Sequence, residues 1–213
     1  MELKHSLIGL VGVALAALTG CFDEPTPAYK MVPAEARVYL QEKGLKTLEG
    51  VEALGLGESA DEAARRCEVV DYVNLDRNEL TSVAGIEKLV GLKWLRLNEN
   101  RLSGLPDLKA LVNLRRIYLR DNRFAAVPET LKVLPSLTDI ELSGNVKIEE
   151  VPEWLARKPG LKNLSFNRTG LRKLPDDLKA WKGLQSLQLG ELKLSAQEMA
   201  RIRAALPDVR IVF

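Results

Sequence analysis

A repeat of 22 to 24 residues occupies the C-terminal two-thirds of this chain and limits the folds that the chain can adopt. Positions one, four, six and eleven of each unit are mostly apolar. Positions four and six alternate as in a strand, so their side chains point to one face. Because a single unit cannot bury its apolar side chains alone, the units must stack side by side into a solenoid with a parallel sheet. The units begin at Val70, Leu92, Leu114, Leu137, Leu161, Leu184 and Leu206.

The spacing LxxLxLxxNxL resembles that of the leucine-rich repeat family. The second unit shows it most clearly, with Leu92, Leu95, Leu97, Asn100 and Leu102. The resemblance covers residues 70–213. It implies an α/β solenoid whose concave face is a curved parallel sheet of about seven strands, with short helical, 3-10 or extended segments on the convex face.

Asparagine occupies position nine of the first four units, where the backbone leaves the strand and turns inward. Its amide can pair with the backbone N–H and C=O groups that the turn leaves without partners. Thr169 and Leu192 take this position in the next two units and offer fewer bonds or none. We therefore expect a ladder that fades toward the C-terminus, formed by Asn78, Asn100, Asn122 and Asn145.

Two departures from the repeat predict local structure. In the fourth unit Lys147 stands where a leucine is expected and Ile148 follows one place late, which indicates a one-residue bulge. After the repeats at 70–194, Ser195 and Glu198 have the spacing of a capping box, so residues 195–213 are predicted to form a C-terminal cap of a helix and a strand.

The N-terminal side of the repeats is predicted to be a helical cap, residues 33–69. Pro33 to Lys43 has the proline start of a helix, and Gly44 supplies the stop. Val51, Leu54, Leu56 and Ser59 within this cap fit a degenerate repeat unit.

The first residues have the layout of a secretory signal. Leu7 to Leu18 is an apolar run of twelve residues, shorter than the roughly 20 that a membrane-spanning helix needs. Leu18-Thr19-Gly20-Cys21 resembles the lipobox of bacterial lipoproteins. The resemblance implies a signal peptide at 1–20, a lipid on Cys21 that anchors the protein to a membrane, and a tether at 21–32. Phe22 follows the cysteine in place of aspartate, which favours the outer over the inner membrane of a bacterial cell envelope.

Composition removes several classes of function. The chain has 31 Lys and Arg against 29 Asp and Glu, a net charge of +2, which argues against nucleic-acid binding driven by bulk charge. The one histidine, His5, lies in the predicted signal peptide, so the mature chain would lack the imidazole of Ser-His-Asp, Cys-His and histidine zinc sites. Lipidation of Cys21 leaves Cys67 without a disulfide partner, as a buried thiol. We expect no enzyme activity, metal or cofactor.

The outward positions three, five and seven of the strands line the concave face. In the first three units these positions carry aromatic residues and arginines, the types enriched at binding hot spots, whereas β-propensity and local stacking alone would also place some of them there. The predicted partner-binding residues are Tyr72, Trp94, Arg96, Arg116, Tyr118 and Arg120.

The predicted partner is a protein, and the predicted role is recognition. An envelope glycan is an alternative, because arginine beside aromatic rings also suits acidic sugars. A structural or self-associating envelope lipoprotein is a further alternative that the sequence leaves open.

Overall fold

The computed structural model describes residues 36–48 and 68–213. Within these two ranges, eight parallel strands form one open sheet in which spatial order follows chain order. The protein is a leucine-rich repeat solenoid, as the repeat predicts. The strands are β1 (Ala36–Tyr39), β2 (Val70–Asn74), β3 (Trp94–Arg96), β4 (Arg116–Tyr118), β5 (Asp139–Glu141), β6 (Asn163–Ser165), β7 (Ser186–Gln188) and β8 (Arg210–Val212).

From β2 to β7 the strand register places equal repeat positions side by side. At β8 the unit predicted to begin at Leu206 is displaced by two residues, because Ile211 pairs with Leu187. Trp94 pairs with Arg116 across β3 and β4, and Arg96 pairs with Tyr118. The intervening Leu95 and Ile117 face the other way and are fully buried. Each coil therefore adds its leucines to one continuous core and its outward residues to the concave surface.

The convex face is built from short helical turns. Between Val70 and Gln188, three are 3-10 helices, Ile86–Lys88, Glu129–Leu131 and Lys179–Gly183, and one is an α-helix, α1, at Glu153–Arg157. Their apolar residues turn inward, and Trp181 is fully buried with its Nε1 donating to the carbonyl of Leu155 at 3.0 Å. This agrees with the mixture of short convex segments that the repeat implies.

The position-nine asparagines lie at the inward turn and bond to neighbouring coils. Asn100 Nδ2 donates to the carbonyls of Leu75 at 3.0 Å and Leu97 at 3.1 Å, and its Oδ1 accepts from the N–H of Leu80 at 3.1 Å. Asn78, Asn122 and Asn145 make equivalent bonds. Thr169 makes only the bond within its own coil among the described residues, with its Oγ1 donating to Phe166 O at 2.8 Å.

The bulge predicted in the fourth unit keeps the core filled. Ile148 is fully buried, three residues after Asn145, whereas Phe124 follows Asn122 by two. Lys147 is exposed. The extra residue thus moves the polar side chain outward and leaves the apolar position occupied.

The helix predicted at Pro33 to Lys43 is wrong, because Ala36–Tyr39 is strand β1, paired with β2. Val38 and Leu40 are buried at the places that Val73 and Leu75 take in the next coil. Hydrogen bonds to the edge of β2 and burial of these two side chains outweigh the local helix-start signal. The sheet consequently has eight strands where the repeats gave about seven. The proposed unit at Val51 to Ser59 lies outside the described residues.

The C-terminal cap has the predicted helix, α2 (Ala196–Ala205), followed by β8. Ser195 Oγ accepts from the N–H of Glu198 at 3.1 Å, which is half of a capping box. The carboxylate of the buried Glu198 turns instead to the preceding coil, where it accepts from the N–H of Leu174 at 2.8 Å. It also accepts from Arg201 of α2 at 2.7 Å. Glu198 therefore fastens α2 to the repeat before it.

The predicted signal peptide at 1–20, the lipidated Cys21, the tether at 21–32 and Cys67 lie outside the described residues. Within the ranges that are described, no helix combines the length and apolar character needed to cross a membrane.

Candidate binding surface on the concave face

Four aromatic side chains stand on four adjacent strands and form a continuous row, called here the aromatic row: Tyr39, Tyr72, Trp94 and Tyr118. Neighbouring ring centroids are 5.3, 5.1 and 5.7 Å apart along the row. Trp94 meets Tyr72 and Tyr118 edge to face, with interplanar angles of 90° and 89°, the arrangement that aromatic quadrupoles favour. Tyr39 was missed from the sequence because its strand was predicted as helix.

Two arginines lie over rings of the row. The Arg116 guanidinium carbon is 4.9 Å from the Trp94 ring centroid, and that of Arg96 is 5.8 Å from the Tyr118 centroid. Arg96 is also held by Asp76, which accepts from its Nε at 2.7 Å. Burial by itself would lower the pKa of Arg96, but the hydrogen bond and charge of Asp76 raise it overall. Arg96 is therefore a charged group on the surface of the row.

Two tyrosines of the row, Tyr72 and Tyr118, keep their hydroxyl protons. Burial raises the pKa of Tyr72 above its ordinary value. Burial also raises the pKa of Tyr118, and the nearby Asp139 carboxylate adds to the effect. Both side chains are therefore neutral hydrogen-bond donors at neutral pH.

Position seven has a structural role that sequence reasoning missed. Side-chain oxygens there accept the backbone N–H of position seven on the next strand: Asp76 from Asn98 at 2.8 Å, and Asn98 from Arg120 at 2.9 Å. Asn167 does the same for Gly190 at 2.6 Å. The recurrence of Asp or Asn at one repeat position was the sequence signal for this second ladder.

Arg120 interrupts the second ladder, because a guanidinium has no acceptor to offer. The N–H of Ser143 on the next strand instead bonds to Glu141 Oε1 at 2.7 Å. Arg120 is exposed, and its Nε donates to Asp121 at 2.9 Å. A residue that departs from a structural pattern without filling its role is a candidate for function.

Beyond Tyr118 the concave side chains become small and leave a hollow of about 430 Å³. Tyr118, Arg96 and Arg120 line one side, and Ser165 and Ser186 are among the small residues opposite. The concave face therefore carries large side chains on β1–β4 and shorter ones on β6 and β7.

Five of the six predicted partner-binding residues lie on β2–β4, and Arg120 follows β4 by two residues and lines the same face as Tyr118 and Arg96. The indole Nε1 of Trp94 is buried there and has no hydrogen-bond acceptor among the described residues. Within those same ranges, no group of three His, Cys, Asp or Glu side chains could hold a metal ion.

Comparison with solved structures finds the same fold in two proteins of Listeria monocytogenes. The internalin inlF superposes with a TM-score of 0.66 at 17% identity, over 96% of this chain and 54% of that protein. The functional domain of InlJ, which includes a cysteine ladder, superposes with a TM-score of 0.54 at 19% identity, over 69% of this chain and 31% of that one. At these identities the likeness concerns the fold alone.

In sequence, a probable disease resistance protein of Arabidopsis thaliana is 29% identical over 79 residues, which are 37% of this chain and 9% of that protein. The chain thus spans less than a tenth of the length of this relative. No protein-family model matches the chain.

Proposed function

We propose that this leucine-rich repeat protein is a lipid-anchored recognition module of a bacterial envelope that binds another protein through the concave surface of β1–β4. The aromatic row with its arginines carries the proposal. These large side chains face away from the core, so the fold does not need them for its apolar packing. Buried aromatic anchors and arginines supply most of the binding energy in protein interfaces.

The interruption of the second ladder at Arg120 supports the same surface. Asp76 and Asn98 on the two preceding strands serve the backbone, whereas Arg120 extends into solvent beside Tyr118. An exposed guanidinium at this place offers several donors to a bound partner.

A protein fits the aromatic row better than a glycan. Stacking of a sugar requires an open aromatic face, but Arg116 lies over the ring of Trp94, and Tyr72 and Tyr118 pack perpendicular to that ring on the strands on either side. Binding to cell-wall or lipopolysaccharide fractions through this surface would favour the glycan instead.

Cross-linking in native envelopes, followed by co-purification, tests the binding surface. The unaltered protein is compared with a Trp94→Ala, Tyr118→Ala, Arg120→Ala triple variant and with a control, Ser186→Ala with Gln188→Ala, on the same face at β7. We expect one partner to be captured by the unaltered protein and the control but not by the triple variant, with circular dichroism spectra that show all three proteins folded. Capture of that partner by the triple variant would contradict the proposal.

The lipid anchor is a separate part of the proposal and rests on the sequence Leu18 to Cys21. Metabolic labelling with an alkyne fatty acid tests it. We expect Cys21→Ser to lose the label and leave the membrane fraction, because acylation requires the thiol, whereas Cys67→Ser keeps both. Label retained by Cys21→Ser would show that this cysteine is not the anchor.

A further inference from the structure

We infer that one edge of the solenoid docks on an anionic phospholipid bilayer. This edge, called here the amino edge, consists of the segments that lead into strands β2–β7. The inference rests on the lipid anchor of the proposed function and adds the surface of the protein that meets the bilayer. The segments are 68–71, 88–93, 110–115, 133–138, 157–162 and 180–185.

Backbone hydrogen bonds join these segments into one continuous surface. The N–H of Arg115 donates to the carbonyl of Lys93 at 2.8 Å, and the same bond links position two of the other neighbouring coils. Because neighbouring strands lie about 4.8 Å apart, side chains from successive coils share one surface. The residues linked in this way are Asp71, Lys93, Arg115, Thr138, Lys162 and Gln185.

Exposed apolar side chains gather at the amino edge. Four of the seven large apolar residues that are exposed within the described ranges lie there, one ahead of each strand from β2 to β5, and they are 36% to 55% exposed. Scattered single apolar residues are normal on a surface, whereas a group on successive coils marks an interaction site. The four residues are Val69, Val90, Val112 and Val133.

The same edge is basic. Its carboxylates within the described residues are those of Glu68 and Asp71, both at the N-terminal end, and Asp71 is paired with Lys93 at 3.4 Å. Arg115 and Lys162 form no ion pair with any described carboxylate. The exposed cations of the amino edge are Lys88, Lys93, Arg115, Arg157, Lys162 and Lys182.

The opposite edge, made of the turns that follow β2–β7, differs in both respects. Two of its arginines are held in ion pairs, Arg101 with Glu79 at 3.1 Å and Arg168 with Asp121 at 3.2 Å. Val146 is the exposed large apolar residue of these turns within the described ranges. Cations beside apolar side chains are the combination that binds an anionic membrane surface, where each cation contributes a factor of about five. The amino edge therefore fits such a surface and the opposite edge does not.

The position of β1 places the proposed anchor on the side of the amino edge. The strands are parallel, so Ala36 at the start of β1 lies at the edge where the other strands begin. Cys21 precedes Ala36 by fifteen residues, a length of chain that spans at most about 54 Å. A lipid on Cys21 would thus tether the solenoid by this edge. The concave side chains point perpendicular to the sheet, so docking by the edge leaves them open to a partner.

Amide hydrogen exchange of the full-length chain on vesicles tests the inference. The protein is purified from membranes in detergent and reconstituted into vesicles of phosphatidylcholine, alone or with an equal part of phosphatidylglycerol. We expect slower exchange at 88–93, 110–115 and 133–138 on the anionic vesicles than on the neutral ones, and equal exchange at 99–102 and 121–124 of the opposite edge. Equal exchange of the amino edge on both kinds of vesicle would overturn the inference.

Charge reversal with a matched control separates the amino edge from net charge. Arg115→Glu with Lys162→Glu removes two cations, so we expect the docking equilibrium to fall by at least about 25-fold and the slowing to be lost. The control, Arg123→Glu with Lys193→Glu, changes the net charge equally at exposed residues of the opposite edge and should keep the slowing. Loss of the slowing in both variants would assign it to bulk charge and overturn the inference.

A milder pair of variants covers misfolding of the charge reversals. Val112→Ser is expected to weaken the slowing, whereas Val146→Ser on the opposite edge is expected to keep it. The same slowing in both variants would contradict an apolar contact with the bilayer. Slowing of the amino edge that rises with protein concentration in detergent would assign this edge to a second copy of the chain and overturn the inference.

Failure of this inference is distinguishable from failure of the lipid anchor. Retention of the unaltered protein on neutral vesicles measures the anchor, and slowing on anionic vesicles measures the amino edge. Protein that stays on neutral vesicles without any slowing on anionic ones would keep the anchor and overturn the inference. Protein that leaves neutral vesicles but shows slowing on anionic ones would support the inference and contradict the anchor.

Discussion

At the scale of single residues, the buried asparagines hold adjacent coils together. Asn100 makes bonds to Leu75, Leu97 and Leu80, and each of these backbone groups is buried. Leucine has a similar volume but leaves these groups unpaired. We expect Asn100→Leu to lower the free energy of unfolding by about 1–3 kcal/mol in denaturant titrations. The exposed Asn113→Leu is the control and should change it by less than about 0.5 kcal/mol. Equal stability of both variants would contradict the ladder.

A second residue-scale feature is the left-handed backbone at position eight. Glycine is the residue that adopts φ near +60° without strain, yet only Gly144 occupies this position as glycine among the described coils. The other residues have φ between 50° and 60° and are Glu42, Arg77, Glu99, Asp121, Arg168 and Glu191.

Substitution of Glu99 tests the strain at position eight. Glu99 is exposed with φ 55°, so a Cβ is unfavourable there and the side chain is dispensable. We expect Glu99→Gly to be more stable than Glu99→Ala by about 1 kcal/mol in thermal or chemical unfolding. At the exposed Glu150, which is not among the positive-φ residues, the order should reverse. The same order at both sites would contradict this account.

At the scale of elements, α2 depends on an ionised Glu198. Hydrogen bonds from Arg201, and then from Leu174 N–H, lower the pKa of the Glu198 carboxyl despite its burial. A lowered native pKa contributes stability that is present above the unfolded pKa and lost as pH falls through the folded pKa.

Unfolding midpoints of the unaltered protein and Glu198→Gln, measured from pH 7 to pH 3, test this contribution. We expect Glu198→Gln to cost about 1.5–3 kcal/mol at pH 7, the worth of hydrogen bonds to a charged group. The difference should shrink as the pH falls below the usual range of a glutamate. The exposed Glu191→Gln is the control. A difference independent of pH would show that the charge of Glu198 is not what holds α2.

The secondary-structure elements also show which parts of the fold can be predicted from the sequence. The repeat predicted the parallel sheet, the phase of every strand from β2 to β7 and the placement of six concave residues on one face, because period and alternation are local. For β8 the predicted start at Leu206 is two residues early, since Ile211 and not Val209 pairs with Leu187. It missed β1, although Val38, Leu40 and Leu45 repeat the spacing of Val73, Leu75 and Leu80. A proline and a glycine that flank a short segment predict a helix locally, whereas pairing with β2 is a tertiary effect. Likewise, the spacing of Ser195 and Glu198 could not show that Leu174 and Arg201 would engage the carboxylate.

At the scale of the whole molecule, the solenoid is a one-dimensional stack in which each coil contacts its neighbours. Different sets of hydrogen bonds stabilise the N-terminal and C-terminal parts of the stack. The asparagine ladder joins the coils from Asn78 to Asn145, whereas beyond Thr169 it gives way to the bonds of Glu198. Local changes should therefore spread only to adjacent coils.

Amide hydrogen exchange resolves this prediction strand by strand. We expect Asn100→Leu to lower the protection of β2–β4 and leave β7 and β8 close to the unaltered protein, because its lost bonds join the second and third coils. Glu198→Gln should do the reverse, lowering protection in β7 and β8, since α2 closes that end. The denaturant concentration is kept low so that amide exchange occurs through local opening and not through global unfolding. If both variants lower protection by the same amount along the whole sheet, the array unfolds as a single cooperative unit and the one-dimensional account fails. The binding surface on β1–β4 would then be coupled to the C-terminal cap, and a change in the cap would weaken partner capture at a distance.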